Sequence, residues 1–180
     1  MEDTAPLLLF YVVYPAWVLA GLLDWACHRA TGIAVTSGIK ENLLHWLMYA
    51  EIGVGMLAVA FFEINAGVLA LVGGVFAVHE LTVYWDLHWS TIRRDVGPFE
   101  QMVHSFLELL PLVSLGVLAT VAWPHGWDLS LRPKEQPLPL DYLLAAGGAS
   151  VLFNALPLLQ ETWSCLRAPT PRTPATPAPR

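Results

Sequence analysis

Acidic and imidazole side chains recur along this chain at helical spacing. Asp24 precedes His28, Glu41 precedes His45 and Glu100 precedes His104, each by four residues, so each pair shares one helix face. His79 and Asp86 are seven apart and return to one face after two turns. Mixed carboxylate and imidazole donors suit iron and manganese, and helical bundles hold two such ions with inward acids and histidines. Asp24, Glu41, Asp86 and Glu100 are therefore candidate ligating or bridging carboxylates. His28, His45, His79 and His104 are the candidate nitrogen ligands. Glu108 continues the Glu100/His104 stripe by one turn, and Glu51 and Glu80 stand at similar depth. These acids could support the ligands or carry protons, with Glu80 or Glu108 as a general base.

A blander reading competes for some of these residues. His28, Glu41 and His88 lie near the ends of apolar runs, where a side chain can reach water and form a solvated rim. Repetition at one depth on four helices is what that reading leaves unexplained. His88, nine positions from His79, faces another direction, and His125 falls in a loop on the opposite side. Cys27 beside His28 is either a soft donor or a small apolar filler. With only Cys165 as a distant second cysteine and no CxxC spacing, no disulfide framework follows. Arg93 and Arg94 read as lipid-phosphate contacts or as topology anchors.

The elements that must position these groups are long apolar runs. Of 180 residues, 56% are hydrophobic and 13% charged, and the mean hydropathy is +0.53, far from a soluble composition. A bilayer core needs about 20 mostly apolar residues per helix, because lipid offers the backbone no hydrogen-bond partner. The runs predict an all-α integral membrane bundle of about five transmembrane helices within residues 1–167. They span roughly residues 7–26, 41–62, 66–89, 99–123 and 138–159. The fifth, with Asn154 and Pro157 but no acid–histidine pair, is assigned to packing. The short Glu63-Ile64-Asn65 turn makes spans two and three antiparallel neighbours. Residues 168–180, rich in Pro and Thr, read as a disordered tail.

Alternating direction brings the ends of odd spans and the starts of even spans together, and all the acid–histidine pairs sit there. Asp24, His45, His79 and His104 should then face one another. With the N-terminus outside, Arg29, Lys40, Arg93, Arg94, Arg167, Arg172 and Arg180 lie inside, and Arg132 and Lys134 outside. That asymmetry satisfies the positive-inside rule. Trp25, Trp46, Trp85 and Trp89 mark the inner interface, Trp123 and Trp127 the outer one. The absence of a basic start before the first apolar run argues for a retained helix over a cleaved signal peptide.

The repeated acid-x3-His pairs, with His79-Glu80-x5-Asp86 between them, resemble those of small bacterial polytopic membrane proteins that carry no established activity. The resemblance covers residues 20 to 110 and implies a bacterial inner-membrane location. Ferritin-like centres use Glu-x-x-His, one residue shorter, and membrane desaturases use HxxxH and HxxHH boxes that are absent here. Kinship to di-iron bundles is thus architectural.

The expected function is a membrane-embedded metal-binding oxidoreductase of di-iron type, acting on a lipid or lipid-soluble substrate at the cytoplasmic leaflet. Two iron ions are the expected cofactor, with manganese or zinc as alternatives. A zinc-dependent lipid hydrolase would use three histidines and a Glu80 or Glu108 base. Haem held between histidines such as His45 and His104 is a further alternative, disfavoured by the surplus of acids. A metal or proton transporter would need polar groups across the whole bilayer, and the outer halves of spans one to four have almost none. Membrane lipid is the expected partner. A net charge of -6 without a basic patch excludes nucleic acid, and oligomeric state is not encoded legibly.

Overall fold

The computed structural model describes residues 4–169. The expected disordered tail falls, but for its first two residues, outside them. Five helices are long and apolar enough to cross a membrane: α1 (Thr4–Thr31), α2 (Ile39–Phe61), α3 (Ala66–Ser90), α4 (Pro98–Ala122) and α5 (Leu140–Arg167). At 1.5 Å per residue they measure about 34–42 Å, enough for a hydrocarbon core of about 30 Å. No strand occurs among the described residues, where a lone antiparallel bridge joins Phe62 to Pro133.

Local sequence sets the helix ends. Gly32 terminates α1 in the left-handed conformation, at a φ of 70° that a residue with a Cβ rarely adopts. Asn65 caps α3 by accepting a hydrogen bond from the Val68 amide at 3.0 Å. Pro98 opens α4, where a missing amide proton costs nothing. α1 and α5 each contain a π-helical turn, Leu9–Val13 and Val151–Ala155. Each turn ends two residues before a proline, Pro15 or Pro157. A proline cannot donate to the carbonyl four residues back, and the wider turn accommodates that missing bond.

The packed pairs are α1–α4, α4–α3, α3–α2, α2–α5 and α5–α1, so the helices close into a ring. Large apolar side chains point outward on every helix, among them Leu19, Leu57, Leu81, Leu109 and Leu144. In water such a surface would aggregate, whereas in lipid it is solvated. α1 and α5 touch closely at Gly21, where an added Cβ would lie 2.3 Å from Asn154 Nδ2. That amide donates to the Val18 carbonyl at 3.1 Å.

The two ends of the ring differ. At one end Lys40 and Arg93 lie over the Trp89 ring, 3.6 and 3.1 Å from its centroid, and Arg167 lies over Trp163. Trp123 and Trp127 are exposed at the other end. There the connection before α5 lies along the α2–α3 turn, with Glu63 donating to Arg132 and Lys134 to Phe61 through the backbone.

α5 extends to Arg167, eight residues beyond the boundary drawn from hydropathy at Leu159. The extra turns carry Gln160, Glu161 and Thr162, whose polarity hid their helical continuation.

Candidate metal centre

At the Lys40/Arg93 end, Asp24 and His28 on the last turns of α1 meet Glu100 and His104 on the first turns of α4. One donor atom from each lies within 4.8 Å of the other three. His28 Nε2 is 3.5 Å from Asp24 Oδ1 and 3.5 Å from Glu100 Oε1. His104 Nε2 is 2.9 Å from Asp24 Oδ1 and 4.0 Å from Glu100 Oε1. Donors bonded to one tetrahedral ion at about 2.0–2.1 Å stand about 3.3–3.4 Å apart, and octahedral neighbours somewhat closer. The four side chains could share one ion, and as they stand His104 Nε2 and Asp24 Oδ1 are hydrogen-bonded to each other.

Buried polar atoms are normally paired, and several here are not. His28 is 1% exposed and its Nε2 makes no hydrogen bond. Glu100, 3% exposed, pairs with Arg94 through Oε1, and its Oε2 makes no hydrogen bond. The other side of the His28 ring is anchored, with Nδ1 3.1 Å from Glu161 Oε2. An ionised carboxylate can only accept, so Nδ1 donates to Glu161, and in the neutral ring the lone pair of Nε2 faces the cluster. Histidines that bind metals are held in this way by a carboxylate behind the ring.

Glu161 was not among the residues singled out from sequence, and span five, assigned to packing, supplies it. Its carboxylate contacts His28, lies 3.5 Å from His45 Nδ1 through Oε1, and accepts from Asn42 Nδ2 at 2.9 Å. No histidine accompanies Glu161 at helical spacing, so the repeat that marked the other acids was missing.

Arg94 also differs from its expected lipid or topology role. It is buried, and its Nη2 lies 2.6 Å from both Glu41 Oε1 and Glu100 Oε1. Nε adds 3.1 and 3.3 Å contacts to the two oxygens of Glu41. Burial opposes the guanidinium charge, but the Glu100 and Glu41 carboxylates outweigh it and raise the Arg94 pKa. Glu100 shares this guanidinium through Oε1 and keeps Oε2 free of a partner. Glu41 is fully buried and holds Arg94 through both oxygens. Asp24 instead faces His28 and His104.

The remaining candidates form the surrounding wall. His45 stacks on His28 with ring centroids 4.5 Å apart, and its Nε2 is 3.5 Å from Asp86 Oδ2. Asp86 Oδ1 is buried without a hydrogen bond. A donor atom of His45 also lies within 4.8 Å of His28 and Glu41 donors. His79 makes its contact elsewhere, through Nδ1 with Glu51 Oε2 at 3.3 Å, and Thr82 donates to Glu51 Oε1 at 2.8 Å. Asp24, His45, His79 and His104 nevertheless line one cavity of about 120 Å³, together with Asp86 and Glu108. Glu80 is not part of its lining, and its Oε1 is buried without a partner. The solvated rim fails for His28 and Glu41, which the ring encloses, whereas His88 is exposed and stacks on Tyr84. Cys27 carries a free thiol and is absent from the four-donor group. His125 closes a short turn at the far end, and its side chain lies outside the described ones.

No family model, no curated protein and no solved structure matches the chain.

Proposed function

We propose that this chain is a membrane-embedded metalloprotein whose metal centre performs redox chemistry on a lipid-soluble substrate. The observation that carries the reading is the convergence of Asp24, His28, Glu100 and His104, with His28 Nε2 and Glu100 Oε2 free of hydrogen bonds. Zinc held by four protein ligands is coordinatively closed, as in structural sites. Iron or manganese takes more ligands, so the same four donors leave positions open toward the adjoining cavity. That difference favours a redox-active ion over the hydrolytic zinc alternative. His45 and Asp86, with Oδ1 unpaired, offer a place for a second ion of a di-iron pair. Glu108, in the cavity wall, is the acid placed to exchange protons there. The cytoplasmic leaflet of a bacterial inner membrane is the location this reading carries.

Elemental analysis and an optical spectrum of detergent-solubilised protein, purified without chelators, test the proposal. One or two equivalents of iron or manganese are expected. Zinc alone would turn the reading toward hydrolysis, a Soret band toward haem, and protein free of stoichiometric metal would end it.

A further inference from the structure

Beyond the cavity lined by the candidate ligands, toward the far end of the ring, lies a second chamber of about 180 Å³. All five helices contribute to it, with Phe10 from α1, Met56 from α2, Phe76 from α3, Leu118 from α4 and Leu143 from α5. Trp17 and Ile52 line both cavities, so the two adjoin each other along the bundle. Close-packed interiors leave few voids larger than a water, and an apolar cavity of about 150 Å³ stays dry and takes up benzene. The phenols in the chamber wall are already engaged, Tyr14 with the Ala146 carbonyl and Tyr142 with the Phe10 carbonyl. Water would find almost nothing there to bond.

We propose that the two cavities form one binding site for a neutral single-chain lipid, with its alkyl chain in the apolar chamber and its hydroxyl or carbonyl head beside His104 and Glu108. The length fits a chain: from Leu9 to Trp17 the chamber follows α1 for about 12 Å at 1.5 Å per residue. Charge selects the head. Asp24, Asp86, Glu108 and Glu161 line the inner cavity, and neither lysine nor arginine lines either one. In the metal-free site a carboxylate or phosphate head would meet carboxylates with no lysine or arginine to match it. A hydroxyl or carbonyl brings no charge and finds imidazole and carboxylate partners. This assignment deepens the proposed function by naming its substrate class, and it rests on that reading only for which end of the lipid reacts.

The test uses the full chain in nanodiscs, in metal-loaded and chelator-stripped samples, photolabelled with dodecanol that carries a mid-chain diazirine. Labels are expected on chamber residues such as Met56, Phe76 and Leu118, in both samples. Gly55→Leu fills the chamber, since a Cβ there meets only Val72 Cγ1 at 3.9 Å, and Val59→Phe fills it from one turn further along. Each should lower chamber labelling by about tenfold or more, whereas Leu57→Phe, on the exposed face of α2, should not. In the chelator-stripped sample unlabelled dodecanol should compete far better than ionised dodecanoate. Labelling confined to exposed residues such as Leu57 and Leu109, or undiminished in both filled variants, would overturn the chain site. Equal competition by dodecanoate would overturn the neutral head. Because the stripped sample is read separately, absence of metal defeats the redox reading while leaving the lipid site standing.

Discussion

Glu100 and His104 are the two residues whose removal separates a metal centre from a polar cluster. Each contributes a donor atom to the four-residue group, and Glu100 Oε2 is not occupied by a hydrogen bond. Glu100→Ala or His104→Ala should lower metal affinity by at least the 10–100-fold associated with groups that merely support ligands. Insertion should be unharmed, because a charge within the bilayer opposes it by about 2.5–3.5 kcal/mol. Metal content per membrane-inserted protein is the measurement, with His88→Ala, exposed and remote from the donors, retaining full metal. Glu161→Gln keeps the shape of the side chain but removes the charge behind His28 and His45. It should weaken metal binding by about 10–100-fold without emptying the site at saturating metal. A titration of metal uptake distinguishes this from direct ligand loss. Arg94→Ala leaves Glu41 and Glu100 buried without their guanidinium, and breaking one side of a buried pair costs about 3–5 kcal/mol. The thermal midpoint of metal-free protein should fall steeply, and added metal should restore part of it by neutralising Glu100. An unchanged midpoint would mean that Arg94 does not compensate these acids.

At the scale of elements, the close contact of α1 with α5 holds Glu161 against His28. Gly21 allows it, because its missing side chain makes room for Asn154, which in turn bonds the Val18 carbonyl. Gly21→Ala should displace the Asn154 amide from the Val18 carbonyl and lower the thermal midpoint. Asn154→Ala alone loses one buried hydrogen bond, worth about 0.5–1.5 kcal/mol. The double variant should be more stable than the sum of the single losses, because removing the amide relieves the clash. Thermal unfolding of all four proteins measures that coupling. Additive losses would show that the two residues do not oppose each other. The π-helical turn before Pro157 belongs to the same element, placing a widened turn between the α5 segment that carries Tyr142 and the one that carries Glu161.

For the whole molecule, the tryptophan and cation pairs at the cluster end mark one membrane interface, and Trp123 and Trp127 the other. The lysine and arginine asymmetry predicts an orientation with the N-terminus outside. In a variant without Cys27 and Cys165, single cysteines at positions 40, 93 and 134 should react differently with an impermeant reagent in intact cells. Only position 134 should label, and labelling at 40 or 93 would invert the topology.

Five apolar runs were legible because lipid demands internally bonded helices of a minimum length, a local requirement that composition alone reports. The acid–histidine spacing was legible for the same reason, since a four-residue step fixes one helix face wherever the helix packs. Tertiary structure decided which faces meet. It joined Asp24 and His28 to Glu100 and His104, turned His79 toward Glu51, and committed Glu41 to Arg94. Glu161 carried no signal in its own neighbourhood, because its partners His28 and His45 lie more than a hundred residues away. Which atoms share a site depends on the rotation and depth of whole helices. Those are set by contacts such as Gly21 against Asn154, which no local pattern encodes.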